Sequence, residues 1–219
     1  MRRADLNDAK WVRAFLDDSD AEMRFECLRW IADAVLKEFQ PQVEAMLSDS
    51  KLDFRLFEAV LATWNTLRGD PGAGVTNPEV LVERITDPKT PARLKGYALR
   101  LATPTHKALT LELLRDFANS DDEVLQLEAA RTLAARRASA EIAADEKRSP
   151  QLRAEAILGV EDTALLQKLA KSDNTTIRDE ARRGLRFTEH DKSFTMSTSR
   201  PAFDDTAAWL KMLDSLPGT

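Results

Sequence analysis

Cysteine occurs once in these 219 residues, at Cys27, so no internal disulfide can form. A lone thiol suits a reducing compartment and equally an exported chain, and the compartment stays open on this ground. Glycine is scarce at 7 residues, which disfavours a turn-rich sheet protein and favours long helices. Histidine occurs twice, at His106 and His190, in separate regions. A His-based metal site or a catalytic triad needs convergent partners, and no motif supplies them. No stretch approaches 18 apolar residues, so no membrane span is expected. No apolar run follows Met1-Arg2-Arg3-Ala4-Asp5, and no signal peptide is read there. Charge of one sign is also missing. Residues 1–110 carry 16 basic and 17 acidic side chains, and residues 111–219 carry 16 and 20. That balance weighs against bulk capture of nucleic acid.

What the chain does have is a phrase that returns about six times. Arg24-Phe25-Glu26-Cys27, followed by Ile31, comes back as Arg153-Ala154-Glu155-Ala156 with Val160 and as Arg178-Asp179-Glu180-Ala181 with Leu185. Gln126-Leu127-Glu128-Ala129 keeps all but the arginine, and Leu56-Phe57-Glu58-Ala59 and Arg93-Leu94-Lys95-Gly96 are looser copies. The small residues at 27, 59, 96, 129, 156 and 181 are spaced by 32, 37, 33, 27 and 25. A period in that range means repeated supersecondary units, each leaning on its neighbours.

Each unit reads as two helices around a tight turn. The turns fall at Asp17–Asp20, Ser48–Ser50, Asp87-Pro88, Asn119–Asp122, Ser149-Pro150 and Ser172–Asn174. Second helices carry apolar stripes at helical spacing: Leu28, Ile31, Ala32 and Val35; Phe57, Val60, Leu61 and Trp64; Leu94, Tyr97, Ala98 and Leu101. Pro41 and Pro78 fit the first turn of a helix. The expected fold is all-α: an α-α superhelix of about six helical pairs over residues 1–187, a polar linker over 188–203, and a C-terminal amphipathic helix over 204–219 carrying Trp209, Leu213 and Leu216.

The small residue lets the second helix approach its partner closely. The arginine is expected to reach an acidic or carbonyl group of the preceding turn. Asp18, Asp49 and Asp87 precede Arg24, Arg55 and Arg93 by six residues, which suggests a ladder of ion pairs.

Leu152-Arg153-Ala154-Glu155-Ala156 and Ile177-Arg178-Asp179-Glu180-Ala181 resemble the second helix of HEAT repeats, a family of α-solenoids, and the likeness covers about residues 11–187. More narrowly, Glu22-Met23-Arg24-Phe25-Glu26-Cys27-Leu28-Arg29-Trp30-Ile31-Ala32-Asp33 and Arg200-Pro201-Ala202-Phe203-Asp204-Asp205-Thr206-Ala207-Ala208-Trp209-Leu210 resemble the repeat region of large dehydrogenase-type proteins of planctomycete-type bacteria. In those proteins the repeats precede a c-type cytochrome domain. The resemblance implies a periplasmic or cell-envelope spacer, with haem in an adjacent domain. No haem-binding Cys-x-x-Cys-His occurs in these residues, so no cofactor is assigned to this segment.

Repeat arrays usually act through surface, so the expected role is a non-catalytic scaffold whose partner is a protein or an adjacent domain. The candidate interaction surface is Arg131, Arg136, Arg137 and Arg148, continued by Arg182, Arg183 and Arg186, with Trp30 as the best exposed aromatic. The alternative is binding of nucleic acid or another anionic partner along that arginine ridge. HEAT-like DNA glycosylase or lyase chemistry ranks lower. Cys27, at a small-residue position, reads as a buried structural thiol. The loop Gly69-Asp70-Pro71-Gly72-Ala73-Gly74 lacks the Gly-Lys-Ser/Thr ending of a phosphate cradle and reads as a connection.

Overall fold

The computed structural model describes residues 9–70, 72 and 74–195, and these contain α-helices and no strand. In chain order the helices are α1 (Ala9–Leu16), α2 (Ala21–Ala34), α3 (Gln40–Met46), α4 (Phe54–Leu67), α5 (Pro78–Thr86), α6 (Ala92–Leu101), α7 (Leu111–Ala118), α8 (Glu123–Ala135), α9 (Ala140–Ala144), α10 (Pro150–Ile157), α11 (Thr163–Leu169) and α12 (Thr175–Thr195). A short 3-10 turn, Lys37–Phe39, leads into α3.

The contacts follow chain order. Each odd-numbered helix packs on the even-numbered helix after it, and each even-numbered helix packs on the next even one, from α2 through α12. Leu28, Ile31, Phe57, Val60, Leu61, Leu94, Ala98, Ala129, Leu133, Ala156, Leu166 and Ala181 are all fully buried along these contacts. Each large aliphatic among them contributes about 1.5–3 kcal/mol through area removed from water.

The turns repeat one hydrogen-bond device. Asp18 accepts from the Asp20 N–H, Asp49 from Lys51, Asp87 from Lys89 and Asp145 from Lys147. Ser120 and Ser172 accept in the same way from Asp122 and Asn174. In five of the six units a cap then opens the second helix: Asp20 to Glu22 N–H, Asp53 to Leu56, Asp122 to Leu125, Ser149 to Leu152 and Asn174 to Ile177. At α6 the preceding residue is Pro91, which offers no side-chain bond. Pro41, Pro78 and Pro150 sit in first turns, where a missing N–H costs nothing.

The proposed aspartate–arginine ladder is not what forms. The turn aspartates are occupied by backbone N–H groups, and the arginines go elsewhere. Arg55 pairs with Glu22 of the preceding unit, and Arg93 donates to the Tyr97 hydroxyl. Arg153 and Arg178 donate to turn-side carbonyls, Ala143 at 3.1 Å and Ser172 at 3.4 Å. The buried Nε of Arg24 has no hydrogen-bond partner. The two arginines should therefore behave differently. Arg153→Ala is expected to lower stability by about 1.5 kcal/mol through loss of a charged-donor hydrogen bond. Arg24→Ala, which removes an unsatisfied donor, is expected to cost less than half of that. Urea melts of the two variants check the difference, and equal losses contradict it.

Two other expectations change. Val35, placed on the α2 stripe, lies beyond the helix end in the left-handed region at φ 49 and is 46% exposed. The N–H groups of Val35 and Leu36 turn back to the carbonyls of Ala32 and Ile31, closing the helix by a Schellman-type pair of bonds. Gly69 after α4 and Arg137 after α8 do the same. Residues 188–195, expected to be linker, continue α12. They contain no Gly or Pro to stop a helix, and the Ser/Thr-rich composition begins only near Thr195. The remaining linker residues and the 204–219 helix lie outside the described residues. Among the described residues no helix is long and apolar enough to cross a membrane.

Candidate functional site

The even-numbered helices line an open groove of about 1190 Å³, with residues contributed by α4, α6, α8, α10 and α12. At one end Phe54 meets Tyr97 edge-on at 5.4 Å between ring centroids, and the Arg100 guanidinium lies 4.4 Å over the Phe54 ring. Along the middle the surface is aliphatic, from Val124, Leu127, Leu152, Ala154 and Leu158. Leu158 is 60% exposed, more than the other exposed large apolar side chains among the described residues, Met23 and Val35. At the far end stand Thr176, Glu180 and Arg183 of α12.

One residue type in the repeated phrase builds the groove's charge. The glutamates before the small residue, Glu128, Glu155 and Glu180, fall on corresponding turns of α8, α10 and α12 and reach the same face. Arg131 stands between the first two, donating to Glu128 at 2.8 Å and to Glu155 at 2.8 Å. Those bonds, Glu155 first, raise the Arg131 pKa further and keep the guanidinium charged. Glu128 is almost wholly buried, so the guanidinium beside it is what makes its charge tolerable. Glu180 keeps Oε2 buried without a hydrogen bond, and the Arg183 guanidinium lies 3.1 Å from it as an ion pair.

At Gly96 the small residue of the phrase does its expected work, but against the next unit's second helix. A Cβ on Gly96 would sit 3.0 Å from Leu125 N and from Val124 Cγ1. Glycine here lets α6 and the start of α8 touch at backbone distance, which brings the Tyr97 end of the groove against its middle.

The arginine ridge expected from the sequence does not form a single surface. Arg131 and Arg183 line the groove. Arg136 caps the carbonyl of Leu109, and Arg148 bonds Ala118 O, Asn119 Oδ1 and Asp145. Arg137 pairs with Glu161. These three fasten neighbouring units by satisfying carbonyls and carboxylates across a junction. Asp145 is held below the usual carboxylate range, chiefly by the Lys147 N–H and then by Arg148. Arg182 and Arg186 are exposed on α12, away from the groove lining. Trp30 is buried at 8% exposure, so it offers no exposed platform.

Trp64 is buried as expected from its stripe, with the guanidinium groups of Arg68 and Arg84 at 4.4 Å and 5.3 Å from its ring centre. Trp11 stacks on Phe15. Cys27 is buried at 4% exposure, and burial, with Asp18 and Glu26 nearby, pushes its thiol up to about 11. A thiol so protonated is a poor nucleophile at neutral pH. His106 lies in the loop before α7, where Nδ1 accepts from the Ala108 N–H. His190 falls in α12 rather than in a linker. The glycine loop is tied by Asn65, which donates to Gly74 O, and Gly69 and Gly74 take positive φ there.

The groove was not legible as a site because its residues come from five helices. The signal that pointed to it was the recurring glutamate, which sequence reading treated only as part of a repeat signature. Comparison with protein-family models, with curated proteins and with solved structures finds no match to this chain.

Proposed function

We propose that this chain is a binding scaffold: a HEAT-like solenoid whose stacked second helices hold a segment of a protein partner in the groove. The observation that supports it is the groove itself, a continuous lining from five successive even-numbered helices with an exposed aliphatic middle. Surfaces of this kind receive helices or extended peptides through a few buried anchors. Four carboxylates (Glu123, Glu128, Glu155, Glu180) face three guanidinium groups (Arg100, Arg131, Arg183) in the lining, which argues against a nucleic-acid trough. The resemblance of the Arg200–Leu210 string supports a second part of the same reading, in which the scaffold is a spacer within a larger haem-bearing protein. A Cys-x-x-Cys-His motif soon after Thr219 in the parent gene supports that part, and a parent lacking it removes it.

Helices packed about 9 Å apart make the five-helix lining about 36 Å long. A fully extended chain covers that in about eleven residues. Panning a random twelve-residue peptide library on the folded protein is therefore expected to enrich a consensus. Leu158→Glu, at a site too exposed to govern folding, is expected to cut recovery by about tenfold through loss of an anchor contact. No enrichment over the Leu158→Glu variant overturns the scaffold reading.

A further inference from the structure

We infer that the segment held in the groove presents a lysine or arginine to its middle, between aliphatic residues: the ligand class is a short cationic, apolar stretch of protein. This rests on the scaffold reading above and adds the chemistry of the occupant.

The charge is uneven along the lining. At the Phe54 end, the Arg100 cation is already placed over an aromatic face. At the α12 end, Glu180 and Arg183 form one pair. In the middle, two carboxylates share one guanidinium, because Glu128 and Glu155 both accept from Arg131. One negative charge there has no counterpart in the lining, and Glu123 adds an exposed carboxylate on the same helix as Glu128. Water offsets this charge while the groove is open. Once a partner covers Val124, Leu127 and Leu158 the dielectric falls, and an uncompensated carboxylate then costs more than it did in solvent.

An occupant that brings a cation removes that cost, and one that brings a carboxylate doubles it. The aliphatic walls on either side suit the methylene stem of a lysine or arginine and the apolar neighbours it needs. Glu155 is the accessible member, with 23% of its side chain exposed against 7% for Glu128. The arriving donor therefore meets Glu155 first.

The test uses the panned consensus as synthetic peptides carrying lysine, norleucine or glutamate at the central position, titrated calorimetrically against the whole chain. Lysine to norleucine is expected to weaken binding about tenfold at low salt, and glutamate more, as for a charge pair in a covered interface. Glu155→Gln is expected to abolish the preference for the lysine peptide over the norleucine peptide. Glu123→Gln, on an exposed rim, is expected to reduce the preference by a smaller factor and keeps the test valid if Glu155→Gln unfolds. A consensus without Lys or Arg that still depends on Leu158 overturns this inference and leaves the scaffold reading standing. Equal affinities for the lysine and norleucine peptides overturn it too. An acidic consensus overturns it and revives the anionic-partner alternative.

Discussion

Replacing Gly159 with alanine is expected to destabilise the protein by about 3 kcal/mol, the upper range for overpacking a closed site. Gly159 is buried in the turn after α10, and its Cα faces the end of α8. A Cβ there would stand 2.3 Å from the Ala134 carbonyl oxygen, 2.4 Å from its Cα and 2.7 Å from its carbonyl carbon. All three atoms are backbone, so no rotamer change relieves the clash. Either α8 and α10 separate or the turn after one of them is rebuilt, and both routes disturb the Ser139 hydroxyl bond to Ala156 O across the same junction. Gly72 supplies the control, since nothing lies within 4 Å of its added Cβ and its φ is not positive. Gly72→Ala is expected to leave stability unchanged or raise it by about 0.5 kcal/mol through the unfolded chain. Urea denaturation of the two variants reads the contrast directly. Equal stability would show that α8 and α10 are not in backbone contact.

Arg131→Met is expected to cost about 2 kcal/mol at neutral pH. Removing one member of a buried ion pair ordinarily costs about 3–5 kcal/mol, and the 38% exposure of the Arg131 side chain lowers that figure through solvent screening. The substitution keeps the apolar stem and leaves Glu128 and Glu155 facing one another without a cation. The loss should shrink as pH falls, because protonation of either carboxylate removes the repulsion and the folded variant then holds the proton more tightly than the unfolded one. Adding Glu128→Gln to Arg131→Met should recover more than half of the loss, a coupling that independent sites would not show. A variant with wild-type stability at pH 7 would mean that the triad of charges contributes nothing to the fold. A loss that grows in acid would mean that repulsion between Glu128 and Glu155 is not what destabilises the variant.

The helical units were readable because their determinants are local. Apolar stripes such as Leu94, Tyr97 and Ala98 are buried as their spacing implies, and Asp20, Asp122 and Ser149 cap the helices they precede. The six-residue interval from Asp18 to Arg24, Asp49 to Arg55 and Asp87 to Arg93 was real but misread. It reflects a turn of constant form followed by a helix of constant register, so the two residues keep step without touching. Helix ends were the weakest point. Glycine marks one of the left-handed stops, at Gly69, whereas Val35 and Arg137 occupy equivalent positions with no compositional signal. The fates of Arg136 and Arg148 depended on carbonyls 27 and 30 residues away, which only the packing of successive units brings near. Trp30, the aromatic offered as an exposed candidate, is buried at 8% exposure.

The reach of those bonds has a consequence for how the chain is made. Thr63 to Leu28 and Arg55 to Glu22 join positions 35 and 33 apart, and the later junctions close over shorter intervals still. A ribosome therefore needs to deliver only about one further unit before the preceding one has its cover. Such a polypeptide can settle from its N-terminus while its C-terminus is still unsynthesised, and little apolar surface waits uncovered at any moment.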